Sequence, residues 1–252
     1  MNNDLFKDYS FGPAEKERMS RDGHFVFPAL LTAAARQRLT ASLGYIQSLR
    51  PHAVEGHEPN RYSAEYDAYL ASLIGHPQML QLVRTVLGAD IRYDHCVTLN
   101  RPPGTPEMSW HAHSYGEEDM ARGLGFVRIF FYVNGFEAED GGLKVVPGSH
   151  LHRDCKAGGD NDAALLQGWM QGKNHPQTGE PLRIEALSVP PGTVIVMWTH
   201  ALHGVSARMG EETRWTVVYA YRNPGLPSHA RWLTPAFERR SLPGADGLLS
   251  LY

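Results

Sequence analysis

The spacing of the hydrophobic positions changes about one third of the way along the chain. Before that point an alternating run at Gly23–Pro28 predicts a short strand. Apolar residues at helical spacing over Thr32–Leu49, with a threonine suited to the N-cap, predict a helix. A second helical pattern covers Tyr69–Leu87, in which Pro77 is expected to break or kink the helix and Gly88 to end it. The polar stretch between the two patterns, residues 50–66, predicts a loop.

Beyond this region the pattern predicts strands. Short β-rich runs alternate with Gly/Pro-rich turns, which is typical of a β-sandwich or barrel. The predicted strands are Ile91–Leu99, Phe126–Val133, Leu143–Val146, Leu182–Val189, Thr193–Trp198 and Trp215–Tyr221. The polar, weakly periodic stretch Leu151–Pro181 predicts either a lid over a pocket or a surface excursion. The chain is therefore expected to be mainly β, with flanking N-terminal α-helices.

The length of 252 residues favours one domain. We expect residues 1–252 to form it, with an N-terminal strand and helices over about 1–88, a barrel over about 89–225 and a C-terminal extension over 226–252. The 42% of hydrophobic residues is enough for a sizeable core.

Charge and composition narrow the class of function. The net charge of -3 and the lack of a basic block argue against a nucleic-acid partner. No apolar run reaches membrane-spanning length, the first residues are polar, and two cysteines are too few for a disulfide framework. These features predict a cytoplasmic enzyme with a small-molecule substrate. They leave the oligomeric state open.

A histidine pair gives the first indication of chemistry. His111 and His113 stand two positions apart in Trp110-His111-Ala112-His113, so on a strand both face one side and can reach one metal ion. Taken alone, such a pair is more often a solvated loop. A second group lies downstream, where His200 and His203 follow the apolar strand that ends at Trp198. A distant third histidine from a neighbouring strand would complete a facial metal site with open positions.

Several segments, in order, resemble one enzyme family. They are DGHFVFPALL, NRPPG, WHAH, DGGLKVVPGSH and PGTVIVMWTHALHGV, followed by Arg214. Together they resemble the phytanoyl-CoA dioxygenase-like group of Fe(II)/2-oxoglutarate oxygenases. The resemblance implies a double-stranded β-helix (a jelly-roll or cupin-like barrel). It also implies Fe(II), the cosubstrate 2-oxoglutarate and O2, with one oxygen atom entering a small organic substrate, hydroxylation being the default outcome.

The resemblance also assigns roles by position. His111 and His203 would be metal ligands, and Arg214 would bind the far carboxylate of 2-oxoglutarate through two parallel hydrogen bonds. Arg101 and Thr216 would support the cosubstrate. The expected substrate pocket includes Arg128, Tyr132, Trp110, Trp169 and Trp198. Simpler roles stay open: Arg214 as an ion-pair partner of Glu211 or Glu212, Arg128 as the partner of a structural carboxylate, His200 as a strand-end residue, and the tryptophans as plain core.

One position departs from the family pattern of His-x-Asp. His113 stands where the relatives carry the carboxylate, so a three-histidine site would leave the metal charge uncompensated until an anionic cosubstrate binds. Alternatively His113 points away, and water or one of Glu117, Glu118 and Asp119 takes its place. Halogenation is disfavoured, because the relatives that bind halide have a small residue here.

Three histidines also suit Zn(II), so a zinc hydrolase is a competing prediction from another class. A barrel that has lost catalysis and only binds a ligand is the third. Arg214 distinguishes the first two, because a 2-oxoglutarate enzyme needs its guanidinium inside the barrel near the metal. We predict Fe(II) held by His111, His113 and His203.

Overall fold

The computed structural model describes residues 4–113, 125–154, 156–225, 228 and 231–250. The helices are α1 Pro13–Asp22, α2 Ala33–Leu49, α3 Ser63–Tyr66, α4 Ala68–Ile74, α5 Pro77–Leu87, α6 Asp162–Gln167 and α7 Pro235–Glu238, with 3-10 turns at Arg50–His52 and Ser149–His152. The strands are β1 His24–Phe27, β2 Arg92–Thr98, β3 Met108–His111, β4 Phe126–Tyr132, β5 Leu143–Val145, β6 Gly158–Gly159, β7 Glu185–Ala186, β8 Thr193–Trp198, β9 His203–Val205 and β10 Thr216–Arg222.

The strands form two five-stranded antiparallel sheets. One has the order β1-β8-β4-β10-β2 and is called the major sheet below. The other has the order β6-β3-β9-β5-β7 and is called the minor sheet. Strands that follow each other along the chain lie in opposite sheets or at distant places in one sheet, as in a jelly roll. The expected mainly β, double-stranded barrel with N-terminal helices is confirmed.

Each face of the major sheet covers a different core. On β4, Val127, Ile129 and Phe131 pack against the N-terminal helices in one hydrophobic cluster. Phe130 and Tyr132 face the other way and pack against residues of the minor sheet. This alternation follows from the two-residue period of a strand, and it explains why the nearly continuous apolar run Phe126–Val133 is buried on both sides.

Most of the predicted element boundaries hold. Thr32 caps α2 by accepting a hydrogen bond from the amide of Ala35 at 3.1 Å. Pro77 is the first residue of α5, so it separates two helices instead of kinking one. The backbone at Gly88 has a φ of 87°, which ends α5 as expected.

Three predictions need correction. The predicted strand Leu182–Val189 is reduced to β7 and an isolated bridge between Val189 and Phe136. The polar stretch Leu151–Pro181 is partly built into the minor sheet, where β6 forms the edge. Residues 50–66, predicted as a loop, contain the 3-10 turn and α3. Helix α1, which the hydrophobic pattern did not predict, begins at Pro13 after a glycine.

In the part of the chain that the structure describes, no helix has both the length and the apolar character needed to span a bilayer.

Candidate metal centre

Three histidines meet where β3 ends and β9 begins. His111 on β3 is the register partner of His203 on β9, so their rings face each other across the two strands, with centroids 4.4 Å apart. The ring of His113 lies 4.8 Å from that of His111 and 5.2 Å from that of His203. One nitrogen from each ring lies within 4.8 Å of the others, close enough for a single metal ion. This cluster is called the histidine triad below.

Backbone carbonyls fix the tautomers of two triad members. Nδ1 of His111 lies 2.8 Å from the carbonyl oxygen of Ser109, and Nδ1 of His203 lies 2.9 Å from that of Ala201. Since a carbonyl oxygen only accepts hydrogen bonds, both Nδ1 atoms carry the proton. Each Nε2 is then unprotonated and available as a ligand, which is the arrangement that metal-binding histidines require.

The surroundings also keep the triad neutral. Burial lowers the pKa of His111 below its ordinary value, and the nearby Arg128 adds to the effect. Burial lowers the pKa values of His113 and His203 well below the ordinary value, helped by Arg128 and by the neighbouring rings. A neutral imidazole is the ligand form, so the site is ready for a metal near neutral pH.

Gly204 follows His203 within β9. Its role is to make room: a Cβ atom there would lie 3.2 Å from Cδ2 of Trp110 and 3.3 Å from the carbonyl oxygen of Met108. The glycine therefore lets β9 approach β3 closely enough for the cross-strand pairing of His111 and His203.

The triad opens into a cavity of about 670 Å³ between the two sheets. Its described lining contains all three triad histidines, Arg101, Arg128, Arg214 and Tyr132. The structure thus brings together the predicted ligands, the predicted cosubstrate arginines and two of the predicted substrate residues. Apolar side chains, among them Phe130, fill much of the remaining wall.

Two arginines lie side by side at one end of this cavity. The backbones of Arg101 and Arg214 pair through two hydrogen bonds of 2.9 Å. The guanidinium of Arg214, 2% exposed, donates to the carbonyl oxygens of Gly141 and Leu99, and that of Arg101 donates to those of Pro106 and Ser206. Both Nε atoms lack a hydrogen-bond partner among the described residues.

The charge of Arg214 is uncompensated by any described carboxylate within ion-pair distance. Glu211 and Glu212 do not pair with it, so its role as a surface ion-pair partner is excluded. Burial lowers the pKa of Arg214 to about 10, which still leaves it cationic at neutral pH. A buried cation without a counter-charge is unfavourable, so this end of the cavity suits an anionic ligand.

Tyr132 and Thr216 lie beside Arg214 at this end of the cavity. Arg214 lies over the ring of Tyr132, 5.3 Å from its centroid. Burial raises the pKa of Tyr132 to about 12, so the phenol is neutral. Thr216, the register partner of Tyr132, is fully buried, and its hydroxyl has no hydrogen-bond partner in the described part of the chain.

The tryptophans predicted for the pocket lie elsewhere. Trp110 is next to His111 on β3 and therefore points to the opposite face. Its indole donates to Oδ1 of Asp162 at 2.7 Å and packs in a separate cluster. Trp198 packs on the helix side of the major sheet, and Trp169 belongs to the cluster around Trp110. The prediction that Trp110, Trp169 and Trp198 line the pocket is thus corrected.

The sequence did not mark several residues of the cavity wall, among them Arg50, Arg61 and Trp232. The first two lie in the predicted loop 50–66 and the third in the C-terminal extension. No local pattern marks them. Glu117, Glu118 and Asp119, the alternative metal ligands considered from the sequence, lie outside the described residues.

His200 lies apart from the triad, as expected of a strand-end residue. The stretch Leu151–Pro181 contributes no described residue to the cavity wall, so the structure gives no support for its predicted role as a lid.

The residues of this site fit the metal ion and the cosubstrate that the motif resemblance implies. Three neutral imidazoles that converge on one point suit a borderline divalent metal such as Fe(II) or Zn(II). Two buried guanidiniums and a nearby buried hydroxyl, whose Nε–H and O–H groups have no partner among the residues that the structure describes, suit a dicarboxylate.

Comparison with known proteins points to one family. The profile described as phytanoyl-CoA dioxygenase (PhyH) matches residues 19–215. A curated relative from Stutzerimonas stutzeri, "Probable alpha-ketoglutarate-dependent hypophosphite dioxygenase", is 24% identical over 148 residues. That match covers 55% of this chain and 47% of the relative, about half of its length.

Solved structures share the fold at low identity. AviO1 from Streptomyces viridochromogenes Tue57 has a TM-score of 0.64 and 20% identity, covering 88% of this chain and 99% of that one. EctD from S. alaskensis, solved with 2-oxoglutarate and 5-hydroxyectoine, has a TM-score of 0.65 and 18% identity, covering 96% of this chain and 90% of EctD. Another EctD structure contains Fe.

Proposed function

Because the chain belongs to the phytanoyl-CoA dioxygenase family, we propose that it is a non-haem Fe(II)/2-oxoglutarate-dependent oxygenase of a small molecule. The family match bears out the resemblance seen in the motifs. The supporting observation for the activity is the shared cavity, which has the histidine triad in its wall and, at one end, the guanidinium of Arg214, which has no ion pair with a described carboxylate.

Each group of residues would have a separate role. His111, His113 and His203 would hold Fe(II), with Nε2 of His111 and His203 presented by their backbone-bonded Nδ1–H groups. Arg214 would bind the distal carboxylate of 2-oxoglutarate, with Arg101 and Thr216 in support. The apolar wall and the buried, neutral Tyr132 would limit the entry of water.

When bound, Fe(II) supplies the activation of O2. The overall reaction balances as substrate C–H plus 2-oxoglutarate plus O2, giving substrate C–OH plus succinate plus CO2. Two electrons come from the decarboxylation of 2-oxoglutarate and two from the substrate bond. Hydroxylation is the simplest outcome, and the hypophosphite named for the curated relative belongs in the first substrate screen.

The test begins with anaerobic reconstitution of the purified protein with Fe(II) and 2-oxoglutarate. We expect a weak visible charge-transfer band, and succinate after O2 is admitted. Arg214→Lys keeps the charge but loses the paired hydrogen bonds, so the Kd for 2-oxoglutarate should rise about 10- to 100-fold. Arg84→Lys, on the exposed side of α5, is the matched control and should leave this Kd unchanged.

A zinc hydrolase is the alternative that the three-histidine donor set favours. It would need no guanidinium in the metal cavity, so the position of Arg214 supports the oxygenase. Absence of both the band and succinate, with zinc held tightly through purification, would contradict the proposed function. A barrel that only binds its ligand would give the band without turnover.

A further inference from the structure

A buried carboxylate–histidine pair on β2 lies outside the residues assigned to the metal and the cosubstrate. Asp94 and His95 are both fully buried. Oδ1 of Asp94 lies 2.5 Å from Nδ1 of His95, and its Oδ2 lies 3.4 Å from Nε of Arg222. Because an ionised carboxylate only accepts hydrogen bonds, Nδ1 of His95 carries the proton.

The other nitrogen of this ring is left as an acceptor. Burial lowers the pKa of His95 more than the Asp94 carboxylate raises it, so the ring is neutral at neutral pH. Nε2 then has a lone pair available, and it has no hydrogen-bond partner among the described residues. A buried acceptor without a partner is unfavourable, so this position suits a ligand that brings a hydrogen-bond donor.

The strand pairing places His95 on the cavity side of the major sheet. Val97, two residues further along β2, lines the cavity, and side chains two positions apart on a strand share a face. His95 and Arg128 are both register partners of Ala220, on opposite sides of β10. The methyl group of Ala220 is too short to separate these two longer side chains. Since Arg128 lines the cavity, His95 stands directly beside its wall.

Three successive rows of side chains across β4, β10 and β2 order the cavity from end to end. The first row contains Tyr132, which Arg214 overlies at the cosubstrate end. The second contains Phe130, whose ring is 6.4 Å from that of His203. The third contains His95 and lies about 7 Å further along the strands. His95 is therefore past the histidine triad, at the end of the cavity away from the cosubstrate.

Trp232 covers His95 on the cavity side. Its ring centroid is 5.0 Å from that of His95, and the indole itself lines the cavity. Trp232 is half-buried and belongs to a segment without regular secondary structure. Two residues later, the backbone N–H and the hydroxyl of Thr234 donate to the two carboxylate oxygens of Glu65, both at 2.7 Å. The backbone is thus held, whereas a partly exposed side chain can change rotamer, and a ligand that displaced the indole would meet Nε2 of His95.

We propose that the substrate carries a hydroxyl or amide N–H group that donates a hydrogen bond to Nε2 of His95, in the place that the indole of Trp232 occupies. This inference rests on the proposed function and deepens it, because it names the chemical class of the substrate. His95 is then a residue that determines specificity, and Asp94 is a positioning residue that holds the ring in the accepting tautomer. The two kinds of donor share this chemistry and are separated by the test.

The test compares hydrogen-bond donors with their methylated counterparts. Cyclohexanol and cyclohexyl methyl ether form one pair, and cyclohexanecarboxamide and its N,N-dimethyl derivative form the other. Each compound is titrated by calorimetry into the apo protein and into the anaerobic Fe(II)/2-oxoglutarate complex. We expect at least one donor to bind at least tenfold more tightly than its methylated partner, because only the donor satisfies the buried acceptor. The pair with the larger ratio identifies the kind of donor.

Variants of the histidine locate the acceptor. His95→Leu has no acceptor and should reduce the ratio to less than about twofold, which also removes the effect of the added methyl groups from the comparison. His95→Gln should keep part of the ratio, because its amide NH2 can donate to Asp94 while its oxygen takes the place of Nε2. Both should retain the 2-oxoglutarate charge-transfer band. His52→Leu, at an exposed position, is the matched control and should leave the ratio unchanged.

Asp94→Asn tests the positioning role while the ring stays in place. Because the guanidinium of Arg222 faces the second carboxylate oxygen, the amide oxygen should turn to Arg222 and the amide NH2 to Nδ1 of His95. Nε2 then carries the proton, so the preference for donors should disappear. NMR of the ¹⁵N-labelled histidine rings reports the change of tautomer directly. If His95→Leu lowers the Tm, this variant and His95→Gln still decide the proposal.

Two results would overturn this inference. One is that no donor binds more tightly than its methylated partner, including the case in which none of the compounds binds. The other is an unchanged ratio in His95→Leu, which would place the acceptor at another residue. Both are distinct from a failure of the proposed function, because a missing band and missing succinate leave the calorimetry on the apo protein intact.

Discussion

The ring of His113 determines the charge that the metal centre presents. His111 and His203 have neutral rings whose tautomers are fixed by carbonyl oxygens. His113 takes the position at which the motif resemblance implies an aspartate. With a third neutral ligand, the full charge of a dication remains in a cavity that already contains Arg128. We therefore expect the metal to be retained weakly until an anion binds beside it.

Exchanging the imidazole for a carboxylate tests this expectation. His113→Asp should increase Fe(II) affinity in the absence of 2-oxoglutarate by about tenfold or more, because the carboxylate compensates one charge at close range. The gain should shrink when the 2-oxoglutarate dianion is present. Anaerobic chelator competition, with and without 2-oxoglutarate, measures both values. His52→Asp, at an exposed position, is the control, and an unchanged affinity in His113→Asp would mean that His113 does not bind the metal.

Among individual residues, the sequence predicts the histidine triad and the cosubstrate arginines Arg101 and Arg214. It does not predict the residues of the outer cavity wall. His111 and His113 are visible because a two-residue spacing on a strand places both rings on one side, and Arg214 because a family motif precedes it. Arg61 and Trp232 carry no such signal. They meet only when segments about 170 residues apart in the sequence fold together, which no local pattern encodes.

Strand β3 is short, and its position depends on what holds its two edges. On one side it pairs with β9, and on the other Trp110 and His111 pair with β6. A polar cluster joins the same elements: Oδ1 of Asp162 accepts from the indole of Trp110 and from Nζ of Lys144, at 2.7 and 2.5 Å. Lys144 also lies 5.3 Å above the Trp110 ring. The cluster therefore ties the start of α6 to the strand that carries His111.

Removal of the Asp162 carboxylate should leave His111 less firmly positioned, although Asp162 does not contact the triad itself. Asp162→Ala leaves the indole and the mostly buried Lys144 without their acceptor, so we expect a loss of about 1–2 kcal/mol in the free energy of unfolding. Fe(II) affinity should fall as His111 becomes less fixed. Chemical denaturation and chelator competition measure the two effects. Asp160→Ala, at an exposed position nearby, is the control, and unaltered metal affinity together with unaltered stability would show that the cluster does not support β3.

The elements found by sequence reasoning are those with a strong period. β4 and β8 were predicted almost to the residue, because their apolar runs are bounded by turns. The two-residue strand β6 was not predicted, and β7 is only a short part of the predicted run Leu182–Val189. Two residues contain no period, so their pairing in the minor sheet cannot be seen in the sequence. Gly204 shows a related limit, since its role depends on Trp110 from another strand and not on its own neighbours in the chain.

Across the whole molecule, buried histidines outside the triad make folding sensitive to acid. Burial lowers the pKa of His150 to about 4 and that of His200 to about 4. In His150, Nε2 donates to the carbonyl oxygen of Ser20 at 3.0 Å, and Nδ1 faces Gly23 with no hydrogen-bond partner among the described residues. The folded protein therefore keeps these rings neutral at pH values where an unfolded chain, with an ordinary pKa of about 6.5, protonates them.

The folded protein should accordingly become less stable as the pH is lowered. Because the unfolded state binds more protons between about pH 6.5 and 4, the free energy of unfolding decreases as the pH falls through this range. His150 alone contributes a loss of about 2 kcal/mol by pH 5. Urea denaturation of the apo protein at pH 7.5 and 5.0 measures the difference. His150→Gln should reduce it and His52→Gln should not; equal stability of the wild-type protein at the two pH values would refute the prediction.

The pairing of His111 on β3 with His203 on β9 has a consequence for the order of events in folding. The two histidines are far apart in the sequence, so the metal site exists only after the minor sheet has formed. A metal ion would therefore bind the folded chain and not its separate segments. It would slow unfolding and leave the folding rate nearly unchanged.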